Sequence, residues 1–171
     1  MTEAFNWRAL LATASGLVAG VLFAVVQIVG AAEMGAPSTF PFRLFASVLL
    51  GVSAFDSNAL SGAVVVATLL HLFLSAFYGM VYGALNARVP AGARVSWARE
   101  AGLGTAFGLV LWLVNFQIVA RLFYPWFLSS PQLYQAAAHA LAFGLPLGLL
   151  YASAERRMAA RRRTPRQEIL R

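Results

Sequence analysis

His71 and His139 are the only imidazoles in this chain, and both fall inside long apolar runs. The amides Gln27, Asn115 and Gln117 lie in such runs too, and Glu33 and Arg121 mark their margins. Hydrocarbon penalises each of these groups, so each needs a partner or a purpose. Two imidazoles on neighbouring helices can ligate a haem b iron from opposite faces. A quinone site asks for less: a histidine or an amide beside aromatics such as Tyr78 or Trp112. The plainer reading is structural. Amide and imidazole side chains readily bond helix to helix, at about 0.6–2 kcal/mol per contact. On that reading Gln27, Asn115 and Gln117 form an inter-helix polar cluster. Arg121 snorkels to an interface, within reach of Glu33 as an ion-pair partner.

Other chemistry is thin. The chain has no cysteine, which excludes disulfides, thiolate metal sites and iron–sulfur clusters. Asp56 is the only aspartate, and its place in a loop far from either histidine argues against Ser/His/Asp catalysis. No phosphate-binding glycine loop, carboxylate pair or His-x-x-x-His spacing occurs. A non-enzyme is expected, with no metal.

What must position these residues is a membrane bundle. The chain is 60% hydrophobic and 11% charged, with mean hydropathy +0.72. A soluble domain of this length needs far more charge to stay dispersed. A spanning helix takes about 20 mostly apolar residues, and four segments qualify: 9–32, 60–85, 101–124 and 132–153. The first exceeds a signal-peptide core, so it reads as a retained helix. Residues 44–55 are apolar but too short to cross, which suggests an interfacial or re-entrant helix between spans 1 and 2. The expected fold is an all-α integral membrane four-helix bundle. Residues 1–155 form its single domain, and 156–171 form a basic tail.

The net charge of +7 has to be read by location. Arg8, Arg88, Arg94, Arg99 and the seven arginines from Arg156 onward lie at one end of the spans; only Arg43 and Arg121 lie at the other. That asymmetry predicts that both termini are cytoplasmic. Phe123, Tyr124, Trp126 and Phe127 then form an aromatic anchor at the outer interface. Arg156, Arg157, Arg161, Arg162 and Arg163 suit anionic lipid headgroups, at about 1 kcal/mol per residue near the surface. A nucleic-acid partner is not expected.

Every span has a Gly-xxx-Gly pair: Gly16/Gly20, Gly79/Gly83, Gly104/Gly108 and Gly144/Gly148. Lipid supplies no hydrophobic force between helices, so close backbone approach at small residues must hold them together. An offset of 88 lays residues 16–37 on 104–125, with five of the 22 pairs identical and Gln27 on Asn115. This hints at two tandem hairpins of one orientation.

The order His71, Tyr78-Gly79, Asn115-Phe116, Phe123, Pro125-Trp126-Phe127, His139, Phe143-Gly144 resembles a family of small bacterial four-helix inner-membrane proteins. That family is largely uncharacterised. Some members bear automatic sodium/proline-symporter labels, although four spans are too few for that fold. The resemblance implies four helices and a bacterial inner membrane, and it implies no activity. Abundant packing signal with little chemistry points first to an accessory subunit of a larger membrane complex, respiratory or photosynthetic. A haem or quinone module using His71 and His139 is the second expectation, and a small transporter or channel the third.

Overall fold

The computed structural model describes residues 2–90, 92 and 96–168, with side chains for 7–90, 92 and 96–161. Arg94, Arg162 and Arg163 therefore lie outside the described side chains. Helix α1 (Thr2–Glu33) runs the full width of the bundle. It ends in a turn at Gly35, whose φ of 77° suits a residue without Cβ. Helix α2 (Phe40–Leu50) follows, starting at Pro41 in its first turn and leaving through a 3-10 stretch, Gly51–Phe55. Helix α3 is Leu60–Ala87. Helix α4 runs from Trp97 to Phe123, and Ser96 caps it by accepting from the Arg99 amide. Helix α5 starts at Gln132 and continues to Glu168, so the residues after span four prolong its helix.

Among the described residues, four helices are long and apolar enough to cross a membrane: α1, α3, α4 and α5. The short α2 is neither a span nor a loose surface helix. Ala46 and Ala54 pack on Ala63 and Ala67 of α3, and Phe45 reaches the His71 ring at 5.6 Å. His71 lies eleven residues into α3, so α2 is inserted along the flank of the bundle.

The glycines set the packing. Gly16 lies against the backbone of Ser75 and Gly79, while Gly20 abuts Ser75 and His71. In the second hairpin, Gly104 lies against the backbone of Gly144 and Gly148, and Gly108 against His139 and Ala140. The two crossings are equivalent. The shift that carries Ser75 and Gly79 onto Gly144 and Gly148 also lays Tyr82 on Tyr151 and Asn86 on Glu155.

Gly20 packs against the side chains of Ser75 and His71 and not against backbone, and Gly83 is similar. Gly83 faces the Ala12 methyl, with the Tyr151 ring beyond, and meets no glycine and no backbone closely. The α1–α3 backbone contact on this face of α3 is therefore made at Gly79, against Ala12 and Gly16. One turn further along, the Ala12 side chain occupies the space, and Gly83 is needed to make room for that methyl.

Helix α5 packs on α1 as well as α4 and is the most buried span. The pair α3 and α4 is different. Their backbones stay apart, and long side chains bridge them.

Both helices of this second hairpin widen locally. Leu113–Ala120 of α4 and Ala138–Gly144 of α5 adopt π-type turns. In α5 a cause is at hand. Pro146 has no N–H for the carbonyl four residues back, and local π turns are a common way to absorb that defect in lipid. No proline accounts for the widening of α4.

Because the Gly104 crossing has no room for a side chain, Gly104→Leu should lower stability by about 1–3 kcal/mol or more. A Cβ at Gly102 meets nothing, so Gly102→Leu should stay within about 0.5 kcal/mol of wild type. Reversible unfolding in mixed detergent micelles distinguishes the two.

Candidate functional site

The spans each align one polar-and-small face at spacings of three and four. On α3 the face runs His71, Ser75, Tyr78, Tyr82, Asn86; on α5 it runs Gln135, His139, Phe143, Leu147, Tyr151, Glu155. These faces meet around a crevice of about 60 Å³. Its polar lining is His71, Ser75, Tyr78, Asn115 and His139, and its walls include Phe23, Phe45 and Phe143. One ordered water needs about 10–15 Å³ on this measure, so the space takes several waters or part of a small ring.

The hydrogen bonds fix what the lining offers. His71 Nε2 donates to the Gly20 carbonyl at 2.8 Å, leaving Nδ1 as an acceptor. His139 Nδ1 donates to the Gln135 carbonyl at 2.7 Å, leaving Nε2 as an acceptor with no hydrogen-bond partner among the described residues. His139 is only 8% exposed and lines the crevice, so that lone pair meets whatever the crevice holds. Tyr78 donates its phenol to Asn115 Oδ1 at 3.0 Å, which leaves the Asn115 amide N–H groups free to donate. The crevice therefore presents two acceptors and one donor inside an apolar wall.

Haem does not fit between these histidines. The Phe23 ring stacks on His71 at 5.9 Å and meets His139 edge-on at 4.8 Å, filling the position of the macrocycle. The Nε2 atom of His71 is also committed to Gly20. Among the described residues no three His, Asp or Glu side chains gather to hold a metal ion.

The other amides and charges fall into separate places. Gln27 and Gln135 exchange two amide hydrogen bonds, 2.8 and 3.2 Å, joining α1 to α5. Gln117 donates to Gln132 Oε1 at 3.1 Å and accepts from Arg121 at 2.8 and 2.9 Å. Among the described residues, Arg121 forms no ion pair with Glu33, which is exposed at the end of α1. The expected bridge between hairpins is instead the Gln27–Gln135 pair, because Gln117 lies within one α-helical turn of Arg121 and captures it. Trp112 does not line the crevice. Arg156 lies over the Trp97 ring at 5.3 Å, and Arg157 and Arg161 are exposed.

Sequence reasoning missed a second polar centre. Placing the start of span three at residue 101 left Glu100 in a loop, yet it lies inside α4 and is wholly buried. Tyr82 donates to Glu100 Oε2 at 2.6 Å, and Arg99 pairs with Glu100 and donates to Asn86 Oδ1 at 3.1 Å. Beside it, Tyr151 donates to Glu155 Oε1 at 3.0 Å, and Arg8 pairs with Glu155 at 3.3 Å. The Tyr82 and Tyr151 rings meet edge-on at 5.7 Å. A signal was present: Glu100, Gly104 and Gly108 recur at intervals of four, placing the carboxylate on the packing face.

Comparison with family models, with curated proteins and with solved structures returns no match. The fold and the crevice therefore stand on this chain's own residues.

The Glu100 centre ties α3 to α4 where their backbones are apart. Removing its carboxylate strands a buried phenol and takes the ion-pair partner from the partly exposed Arg99, so Glu100→Ala should cost about 2–3 kcal/mol, against about 1–2 kcal/mol for Tyr82→Phe. A double-mutant cycle in micelles should give less than the sum of the two.

Proposed function

We propose that this chain is a non-catalytic binding protein of the bacterial inner membrane, holding a small ring compound from the lipid phase in its central crevice. The observation that supports this most is the His139 lone pair, nearly buried and without a hydrogen bond beside the free Asn115 amide. An acceptor that opens on an otherwise apolar crevice is a ready partner for a ligand's donor group. Ligand sites in proteins are mostly apolar with a few convergent polar groups, as here. Two π-type segments adjoin the crevice, and such segments are frequent at functional sites.

The chemistry that matches is a ring with carbonyl or hydroxyl substituents, the head group of an isoprenoid quinone or quinol. The Asn115 amide donates to a carbonyl oxygen, while His139 Nε2 and His71 Nδ1 accept from a hydroxyl. Nothing in the crevice is placed to transfer electrons, so the role assigned is binding and orientation. Both termini face the cytoplasm on this reading, with Arg156, Arg157 and Arg161 against anionic headgroups.

The accessory-subunit reading loses its main support. It drew on glycine pairs in excess of one bundle's needs, yet all eight paired glycines abut residues of this same chain. A partner, if the bound ring serves one, meets other surfaces.

Protein purified from its native membrane should yield a stoichiometric ring compound on solvent extraction. Reconstituted protein should bind a short-tailed naphthoquinone saturably, and Asn115→Leu should weaken that binding about ten-fold, or 1.4 kcal/mol. Purely linear partitioning, with nothing extracted, would sink the reading.

A further inference from the structure

The crevice has one open seam. Around the bundle, α1 and α3 are closed by the Gly16 crossing, α4 and α5 by the Gly104 crossing, and α1 and α5 by close packing and the Gln27–Gln135 pair. Of the pairs that adjoin around the bundle, only α3 and α4 lack backbone approach among the described residues.

Both ends of that seam are shut. Towards the arginine-rich end, Tyr82 bonds Glu100 and packs on Phe107 at 5.4 Å, and Arg99 bonds Asn86. Towards the aromatic end, α2 covers the gap. Phe45 lies on His71, and Trp126 Nε1 donates to Ser47 Oγ at 2.9 Å, tying α2 to the α4–α5 connection. Between these closures, the one hydrogen bond across the seam among the described residues is Tyr78 to Asn115. Their immediate neighbours Phe77 and Val114 are exposed and apolar.

We propose that the ligand enters sideways from the bilayer through the seam between α3 and α4, and that the Tyr78–Asn115 hydrogen bond is its gate. This rests on the binding reading above and sharpens it. A site reached only through hydrocarbon takes a molecule already dissolved there. The occupant is a ring compound with a long apolar tail; the substituted edge of the ring enters the crevice, the rest of it lies in the seam, and the tail stays in lipid along Phe77 and Val114. Opening costs one bond between neutral side chains. That suits a gate better than the carboxylate centre does, because separating Tyr82 and Arg99 from Glu100 would strand a buried charge.

The gate coincides with the widened turns of α4. Asn115 sits within the π-type segment Leu113–Ala120, and reverting it to α geometry would turn Asn115 relative to Leu111 and the rest of the lining. The gate residue thus sits on the π-type stretch of α4, a kind of segment frequent at functional sites.

The test uses full-length protein in phospholipid nanodiscs and a naphthoquinone whose alkyl tail ends in a photoreactive diazirine. The expected result is labelling of α3 and α4 near Phe77 and Val114. Tyr78→Phe keeps the ring and removes the bond, so it should speed both association and dissociation by about five-fold, the factor a single net hydrogen bond sets. Saturable binding with the label on α2 or its flanking loops would overturn the seam while leaving the binding site intact. Saturable binding with unchanged rates in Tyr78→Phe would overturn the gate. No saturable binding, in protein that unfolds as cooperatively as expected, would remove the site and the seam together. Should Tyr78→Phe fail to fold, the label position on wild type still decides the seam, and Tyr78→Leu, which also removes the phenol, takes its place in the rate measurement.

Discussion

The structure depends on backbone meeting backbone at glycine. In lipid, helices gain nothing by hiding apolar side chains from a solvent that is itself apolar. Association must come from close contact and hydrogen bonds. Gly16 on Gly79 and Gly104 on Gly148 supply that contact twice, in equivalent geometry. Each crossing draws its hairpin together tightly enough to leave no space for a Cβ. The large side chains are pushed to the remaining interface, where Tyr78, Tyr82 and Phe107 bridge α3 and α4. The crevice follows from this division: two seams zipped by glycine, one packed, and one propped open by aromatics.

Polar groups are distributed along the bundle by what they have to hold. At the arginine-rich end the buried carboxylates Glu100 and Glu155 each have a tyrosine and an arginine. Buried charge is tolerable only when so completely paired. At the other end the paired amides Gln27 and Gln135 and the Trp126–Ser47 bond are neutral. In between, the hydrogen bonds are incomplete: an imidazole nitrogen on each histidine and the Asn115 amide lack partners among the described residues. These groups line the crevice, where a bound molecule can meet them.

The two hairpins match in their glycine crossings and differ in what surrounds them. Tyr82 and Tyr151 take equivalent positions on the second helices of the two hairpins, yet their acids come from different places. Tyr82 reaches across to Glu100 on α4, while Tyr151 bonds Glu155 one turn along its own helix. Glycine use diverges too. Gly108 meets the backbone of its partner helix, whereas its counterpart Gly20 meets the side chains of Ser75 and His71. The second hairpin alone has π-type turns, and it alone supplies Asn115 and His139 to the crevice. One hairpin kept plain α geometry, and the other departed from it where the crevice lies.

The sequence by itself determined the spans, because hydrocarbon thickness sets their length and few charges interrupt them. It marked the glycine faces and the hairpin repeat, since spacing of four on a helix is a statement about one face. It also marked His71, His139 and Asn115 as costly and therefore purposeful. Partnership was decided only by the tertiary structure. Arg121 turned to Gln117 instead of Glu33, because a neighbour one turn away needs no second helix to bring it near. Gln27 found Gln135, which its position in the repeat did not suggest. Glu100 became a buried tie because α4 begins four residues earlier than apolarity alone implied. Phe23 displaced the room for a macrocycle between two histidines that spacing alone allowed to share one. Periodicity reports which face a residue occupies; which helix that face meets, and at what height, is fixed by the crossings.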